Sequence, residues 1–424
     1  MAETEGLSST KDYRYDVLRL VNSSGQAIDI QDIVLETVLY QSIDAPAMWG
    51  TLLVSDVKDI INNFHITGNE YLQMELTQPS LGDSIKKNFR VFKIDRRTRN
   101  GGGALYALNF VSNSQLVSNS SLISKAYKGK TCRDIVEDIL KNYMGIERKD
   151  IHRIEYTTGT FDFIIPSYRP IEAINWVCSR SFDADKKFNY MFYESSKGYE
   201  FISLQTLYKG RGRIRNLRYD IKSVNDAPNT PSDISKNRNS LEKFTIIQDF
   251  DTLAASRTGA FAGSVLAVNV HTRSYKRYNY GLETAQNQKR LLNDYAPTND
   301  KHLMNSFLTN AKTYIDTSNT AGVRSNEVDK WLINRQLHSN LIGFLKIGGT
   351  VSGDITMLAG DIVNFEFPKF TVGDESTKDM DEYRSGKYMI SQIIHVITQS
   401  KFETNIEMVS DSYSEPLPTA KKLK

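Results

Sequence analysis

A pattern of short hydrophobic-rich runs, written twice in one chain, constrains the fold more than any other feature. In the last ordered segment, His338 to Ser412, three runs read as strands: Ile362 to Pro368, Tyr388 to Val396, and Thr404 to Ser412. Gly353, Gly360, Gly373 and Gly386 punctuate them, and apolar residues partly alternate with polar ones, as short half-buried strands require. Near the N-terminus, Tyr71-Leu72-Gln73-Met74-Glu75-Leu76 matches Ile362-Val363-Asn364-Phe365-Glu366-Phe367 in residue type at every position. Phe89-Arg90-Val91 then matches Tyr388-Met389-Ile390. Leu108-Asn109-Phe110-Val111-Ser112-Asn113-Ser114 matches Ile406-Glu407-Met408-Val409-Ser410-Asp411-Ser412. A glycine followed by an amide or acid precedes each copy, Gly68-Asn69 and Gly360-Asp361, with one extra residue in the first. The runs recur in one order at almost one separation, which points to a duplicated β-domain with other material between the copies.

A chain of 424 residues has room for that arrangement, about two to four domains of ordinary size. Charged residues are 24% and hydrophobic residues 40%, enough for packed cores. A formal net charge of +3 argues against a dedicated nucleic-acid binder and against a trap for acidic substrates. The 22 Tyr and 19 Phe suit strands and sizeable interfaces. No apolar run reaches the length of a membrane span, and the first residues are polar and acidic rather than a signal peptide, so a soluble protein made in the cytoplasm is expected.

In chain order, 1–11 read as a disordered tail and 12–122 as a first β-barrel. Gly101-Gly102-Gly103 forms a hairpin turn within it, because no helix or Lys-Ser/Thr signature follows to make a phosphate loop. Residues 123–220 read as an α+β domain. Thr131 to Asp134 is a capping box with Asp in the Glu position, a second helix starts at Pro170, and a hairpin joins the runs at 188–193 and 199–204. Residues 221–240 read as a linker and 241–330 as strands and helices completing or inserted into the second barrel. Within that stretch, runs at 244–247 and 264–272 are strand-like, and Leu303, Phe307, Ala311 and Tyr314 mark a helix. The second barrel spans 331–413, followed by a basic tail at 414–424. The fold class is α+β, mainly β, with two similar small barrels.

Chemistry-bearing constellations are missing from this pattern. The histidines, His65, His152, His271, His302, His338 and His395, fall in different elements with no metal-ligand pair on a helix face. Cys132 and Cys178 have no zinc-like or catalytic neighbours and read as reduced structural residues. Asp249 and Asp251 flank Phe250 and read as ordinary charges at a strand end or in a loop. No Gly-x-Ser-x-Gly elbow occurs. The expectation is no catalytic residue, no cofactor and no metal. The basic run at 209–218 could touch phosphate through Arg211, Arg213, Arg215 and Arg218, but no aromatic residues interleave it, so a solvated loop or a face for an acidic partner is expected.

Several stretches of the C-terminal part resemble phage tail hub proteins: Leu358-Ala359-Gly360-Asp361-Ile362-Val363 with Pro368, Ser385-Gly386-Lys387-Tyr388-Met389-Ile390, His395-Val396, and Ile406 to Asp411. This is the family of the central baseplate hub of T-even contractile-tailed phages, and the stretches are similar also to the hub part of type VI secretion spike proteins. The resemblance runs from about Tyr13 to Ser412. It implies a homotrimer in a virion baseplate whose two barrels per chain present a six-fold-like ring to the hexameric tail tube. The trimeric cell-puncturing spike would sit on the other side, other baseplate proteins would lie around it, and DNA would pass only in transit. The basic run at 209–218, the acidic insertion at 373–382 and the tail lysines Lys421, Lys422 and Lys424 depart from the family pattern. Two other readings remain at this level, a spike-associated cell-wall hydrolase and a nucleic-acid binder using the 209–218 run.

Overall fold

The computed structural model describes residues 12–100, 102–183, 188–210, 214–219, 239–308, 310–369 and 380–417. Seven strands come first: β1 (Arg14–Val21), β2 (Ala27–Asp29), β3 (Val34–Ser42), β4 (Trp49–Asp56), β5 (Tyr71–Gln78), β6 (Asp83–Asn100) and β7 (Gly103–Ser112), followed by α1 (Asn113–Asn119). They hydrogen-bond in the order β2-β1-β5-β6-β7-β4-β3. Strict alternation makes them: Leu72, Met74 and Leu76 of β5 point inward while Gln73, Glu75 and Thr77 point outward. The inner residues join Leu20, Leu39, Leu52, Phe89 and Phe110 in one core, and burying each such side chain contributes about 1.5–3 kcal/mol.

An α+β unit follows, with β8 (Ile123–Lys130), α2 (Cys132–Asn142), β9 (Ile151–Ile154), β10 (Phe161–Tyr168), α3 (Pro170–Cys178), β11 (Tyr190–Ser195), β12 (Gly198–Ser203) and α4 (Leu204–Tyr208). The capping box closes as expected: Thr131 Oγ1 accepts from the Asp134 amide at 3.1 Å, and Asp134 Oδ2 accepts from the Thr131 amide at 3.3 Å. Pro170 stands at the start of α3, and β11 and β12 form the expected hairpin. Cys132 and Cys178 are buried and free, and burial pushes both thiols up to about 12.

The remaining elements are β13 (Arg215–Tyr219), β14 (Ser240–Gln248), α5 (Thr252–Thr258), β15 (Ala262–Asn269), β16 (Ser274–Gly281), α6 (Leu282–Asn287), α7 (Lys301–Met304), β17 (Ala311–Ile315), α8 (Val328–Leu341), β18 (Leu345–Ser352), β19 (Ile362–Glu366), β20 (Gly386–Thr398) and β21 (Phe402–Ser410). A closed six-stranded barrel runs β19-β13-β14-β18-β21-β20, sealed by the β19–β20 pairing.

Five strands of each half are related one to one. The order β5-β6-β7-β4-β3 in the first half corresponds to β19-β20-β21-β18-β14 in the second, with every neighbouring pair antiparallel in both. The register agrees as well. Leu72 faces Phe89 as Val363 faces Tyr388, and Val91 faces Phe110 as Ile390 faces Met408. Both ladders then shift by one residue at a bulge, Phe92 in β6 and Ser391 in β20, and resume with Lys93 facing Asn109 and Gln392 facing Glu407. The sixth position differs: β1 lies antiparallel to β5, whereas β13 lies parallel to β19 and also pairs with β14. Among the described residues no ladder joins β1 to β3. A side-chain bond from the Tyr15 hydroxyl to Thr37 Oγ1 at 2.7 Å spans that gap.

Of the two strand-like runs after the linker, β14 enters the barrel, and β15 lies between β16 and β17 in a separate three-stranded sheet. Three expectations need correction. The helix marked by Leu303, Phe307, Ala311 and Tyr314 exists only as α7, because residues from Ala311 pair in parallel with β15 from Ser264 to Val268, and that tertiary pairing overrides the helical spacing. His338 does not open the last β-segment; it lies in α8, and the strands resume at Leu345. Asn113 and Ser114, matched to Asp411 and Ser412 beyond the strands, begin helix α1 in the first copy.

Candidate functional site

Strand β3 pairs antiparallel with β20 from Ser42 opposite Gln392 to Glu36 opposite Thr398, so the two halves share one 13-stranded sheet. The seam is buried. Ile355, Ile397 and Phe402 from the second half sit in the core of the first. Gln78 donates to the Gly353 carbonyl at 2.8 Å and accepts from the Ile355 amide at 3.1 Å, and the Tyr13 hydroxyl donates to the Thr398 carbonyl at 2.6 Å. His395 lies fully buried in the seam, with Nδ1 3.0 Å from Thr404 Oγ1 and Nε2 3.5 Å from Gln41 Nε2. Burial, which outweighs the opposing charge of Asp354, lowers its pKa to about 4, so the ring is neutral at ordinary pH.

The shared sheet presents one continuous outward face across both halves. Along β5, β6, β7, β4, β3, β20, β21 and β18 it carries Gln73, Asn109, Thr51, Gln392, Glu403, Asn405, Glu407, Lys346 and Thr350 among others, all outside the cores. Several of these groups pair with one another or with neighbours on the same sheet. Thr51 Oγ1 donates to Asn109 Oδ1 at 3.0 Å and Thr350 Oγ1 to Asn405 Oδ1 at 2.7 Å. Arg19 donates to Gln73 at 2.6 Å, and Ser391 donates to Glu407 at 2.7 Å. Lys86 pairs with Glu75, and Lys93 with Asp95 at 2.7 Å.

The opposite arrangement holds where the α+β unit packs. The outward row Ile362, Met389 and Val409 of the second half is buried under Tyr193, Ile202, Leu204 and Leu207. Its counterparts in the first half, Tyr71, Arg90 and Val111, are not covered in this way; the Arg90 guanidinium lies 4.3 Å from the Tyr71 ring centroid and Trp49 stacks on Tyr40 at 3.8 Å. At the mouth of the first half, Lys87 pairs with the buried Glu194 at 2.8 Å, and Glu194 also accepts from the Met48 amide at 3.1 Å, which locks the α+β unit onto the sheet.

The residues singled out from sequence are dispersed. His65, His152, His271 and His302 are exposed and far apart in the fold order, while His338 and His395 occupy separate cores. Among the described residues no three His, Cys, Asp or Glu side chains come together in a way that could hold a metal ion. Asp249 makes a two-pronged pair with Arg384 at 2.9 and 2.6 Å, and Asp251 caps α5 by accepting from the Ala254 amide at 2.8 Å. Of the basic run, Arg211 and Arg213 lie outside the described residues. The rest is not a loop throughout: residues from Arg215 form barrel strand β13, Arg215 pairs with Asp354, and Arg218 pairs with Glu366 at 2.9 Å. Burial opposes ionisation of Asp354, but Arg215 and the bonds from Thr356 together offset it and hold the carboxyl below its usual range. The insertion at 373–382 lies outside the described residues up to 379; the chain leaves the barrel at Pro368 and bridges back at Met380. Lys421, Lys422 and Lys424 lie outside them too. No helix among the described residues is long and apolar enough to cross a membrane.

Sequence reasoning missed one device of the repeat. Glu70, not Asn69, does the work of Asp361. Glu70 accepts from the Thr67 and Gly68 amides at 2.9 and 2.8 Å, and Asp361 accepts from the Leu358 amide at 3.0 Å. The backbone carbonyl of each takes the amide one strand over, Val91 at 3.0 Å and Ile390 at 2.8 Å. Gly68 and Gly360, at φ 93° and 89°, make the two turns in the left-handed region that favours glycine. The extra residue of the first copy is therefore Asn69, and the acid directly before each strand was the available signal.

No protein-family model matches the chain. Along the sequence it is 21% identical over 411 residues to a protein described as the probable baseplate hub protein gp334 of Vibrio phage KVP40, covering 91% of this chain and 92% of that one. In structure it is similar to the 43 kDa tail protein of prophage MuSo2 from Shewanella oneidensis, with a TM-score of 0.57 at 9% identity over 94% of this chain and 99% of the other. A tail protein from Neisseria meningitidis MC58 matches with a TM-score of 0.54 at 11% identity, over 94% and 97% of the two chains.

Proposed function

We propose that this chain, a structural protein of the phage tail similar to baseplate hub proteins, is the central hub that joins the hexameric tail tube to the trimeric spike. It acts as a homotrimer and forms part of the channel through which DNA passes. The observation that carries the reading is the repeat itself: five strands in the same order, with the same register and the same bulge, in both halves of one chain. A three-fold object meeting a six-fold tube otherwise leaves half of the tube's polar contacts unmade, and each buried unpaired group costs about 1–3 kcal/mol. Two like barrels per chain give three chains six near-equivalent docking places. A sheet face of mixed polar groups, with Lys86 and Lys93 held by Glu75 and Asp95, suits a channel wall, because a uniformly basic lining would hold the DNA it must release.

No step of this role needs a catalytic group, and DNA is a passing cargo rather than a ligand. Light scattering on the purified protein should give three times 48.2 kDa, alone or once spike protein is added. A chain that stays monomeric with both spike and tube proteins present contradicts the proposal.

A further inference from the structure

The seam inside the chain uses two particular strand edges: β3 on one side and, on the other, the part of β20 beyond its bulge. Under the internal repeat, β3 corresponds to β14, and β20 beyond Ser391 corresponds to β6 beyond Phe92. Both counterpart edges lie open among the described residues. Beyond its contact with β13 at Ser240 and Leu241, β14 has β18 on one side and no strand on the other. Beyond Arg90, β6 has β7 on one side and no strand on the other, because β5 pairs only from Asp83 to Arg90. A strand edge of this kind displays a row of unpaired amides and carbonyls, a template for another strand.

The side chains along the two edges match. Beside β14, Ile247 is 54% exposed, Phe250 60% and Leu253 78%; beside the other edge Phe92 is 48% exposed. In the seam, the Ile43 amide, one residue past β3, donates to the Ser391 carbonyl at 3.0 Å. Carried through the repeat, Ile43 corresponds to Asp251 and Ser391 to Phe92, so that bond sets the Asp251 amide against the Phe92 carbonyl and brings exposed Phe250 beside Phe92 and opposite Lys93. Tyr40 opposite Ile394 likewise becomes Gln248 opposite Asp95. Lys93, Arg96, Arg97 and Arg99 are exposed along the β6 edge, and edge cations of this sort discourage pairing with arbitrary strands while tolerating a matched one.

We infer that β14 of one copy pairs antiparallel with residues 93–99 of β6 in the next copy, repeating between chains the seam that β3 and β20 make within each chain. Three copies then close one uninterrupted ring of sheet in which intrachain and interchain seams alternate. The inference rests on the homotrimer proposed above and adds which edges make it.

Disulfide trapping tests it on the full chain. Directly opposed residues of an antiparallel pair have Cα atoms about 4.5–5.5 Å apart, within the roughly 4.4–6.8 Å that a disulfide spans. Asp95→Cys is combined in turn with Ile246→Cys, Ile247→Cys and Gln248→Cys, so that a shift of register at either bulge is covered; the two native thiols are buried and do not compete. Mild oxidation should convert at least one combination to covalent dimers and trimers on a denaturing gel, with monomer restored by reductant and with neither single variant giving trimer. A folded double variant that no longer assembles, while the natural chain does, counts for the same edges. Trimers by light scattering with no cross-link from any of the three combinations overturn the edge assignment and leave the trimer standing. A natural chain that never assembles overturns the hub reading instead.

Discussion

At the residue scale, two buried histidines make the fold sensitive to acid. Burial lowers His395 to about 4; burial, with the charge of Arg290 adding to it, lowers His338 to about 3. Both values lie below the roughly 6.5 of an unfolded histidine. The neutral rings therefore contribute stability that is fully present above about pH 6.5 and is lost as pH falls through that value towards about 4 and about 3. For His395 the loss is at most on the order of 3 kcal/mol, taking about 1.4 kcal/mol per pH unit. Urea midpoints should be flat above pH 7 and fall below pH 6, and His395→Gln should flatten part of that slope. An unchanged slope in the variant would show that the seam histidine is not the acid-sensitive group. The turn before β5 offers a second check. Removing the acceptor for two amides in Glu70→Ala should cost about 1–3 kcal/mol, while Asn69→Ala should change urea stability by well under 1 kcal/mol. The sequence matched Gly68 to Gly360 because a left-handed turn favours glycine. It mis-set the acid because an inserted residue is invisible until a hydrogen bond shows which side chain turns back.

At the element scale, what was legible followed from local chemistry. The Thr131 box, Pro170 at the start of α3 and the alternation in β5 and β21 are all decided within a few residues. Elements decided at a distance were not legible. Ala311 to Ile315 is a strand because β15 lies beside it, and β18, with Gly348 and Gly349 inside it, carries little strand signal of its own. Those glycines have a packing use, as does Gly50 in β4. A Cβ on Gly50 would lie 2.3 Å from the Val38 carbonyl oxygen and 2.4 Å from the Phe110 ring, which occupies the space instead. The second copy balances the same pair of positions differently, with Ile347 opposite Met408. Gly50→Ala should therefore destabilise the first half by about 1–3 kcal/mol through overpacking. Differential scanning calorimetry would detect it, and a variant melting with the natural chain would contradict the packing described. The bulges at Phe92 and Ser391 left no trace in composition, although they kept the two copies in register.

At the scale of the whole molecule, the duplication was readable because inward residues of both copies keep their type: Leu72 and Val363, Phe89 and Tyr388, Phe110 and Met408. Outward residues diverged according to what covers them, as Tyr71 and Arg90 against the buried Ile362 and Met389 demonstrate. The β3–β20 seam was beyond sequence reasoning, since its partners stand some hundreds of residues apart and each reads as an ordinary strand. That seam joins the two halves into one sheet and leaves one strand edge open on each half among the described residues. The central claim is that three chains build a ring of six near-equivalent barrels. Electron microscopy of the purified assembly, averaged in end-on views, tests this most directly. Six similar densities around an open centre are expected, with only three-fold symmetry in the surrounding α+β units. A ring built from another number of barrels, or particles without a ring in the presence of spike and tube proteins, would contradict it.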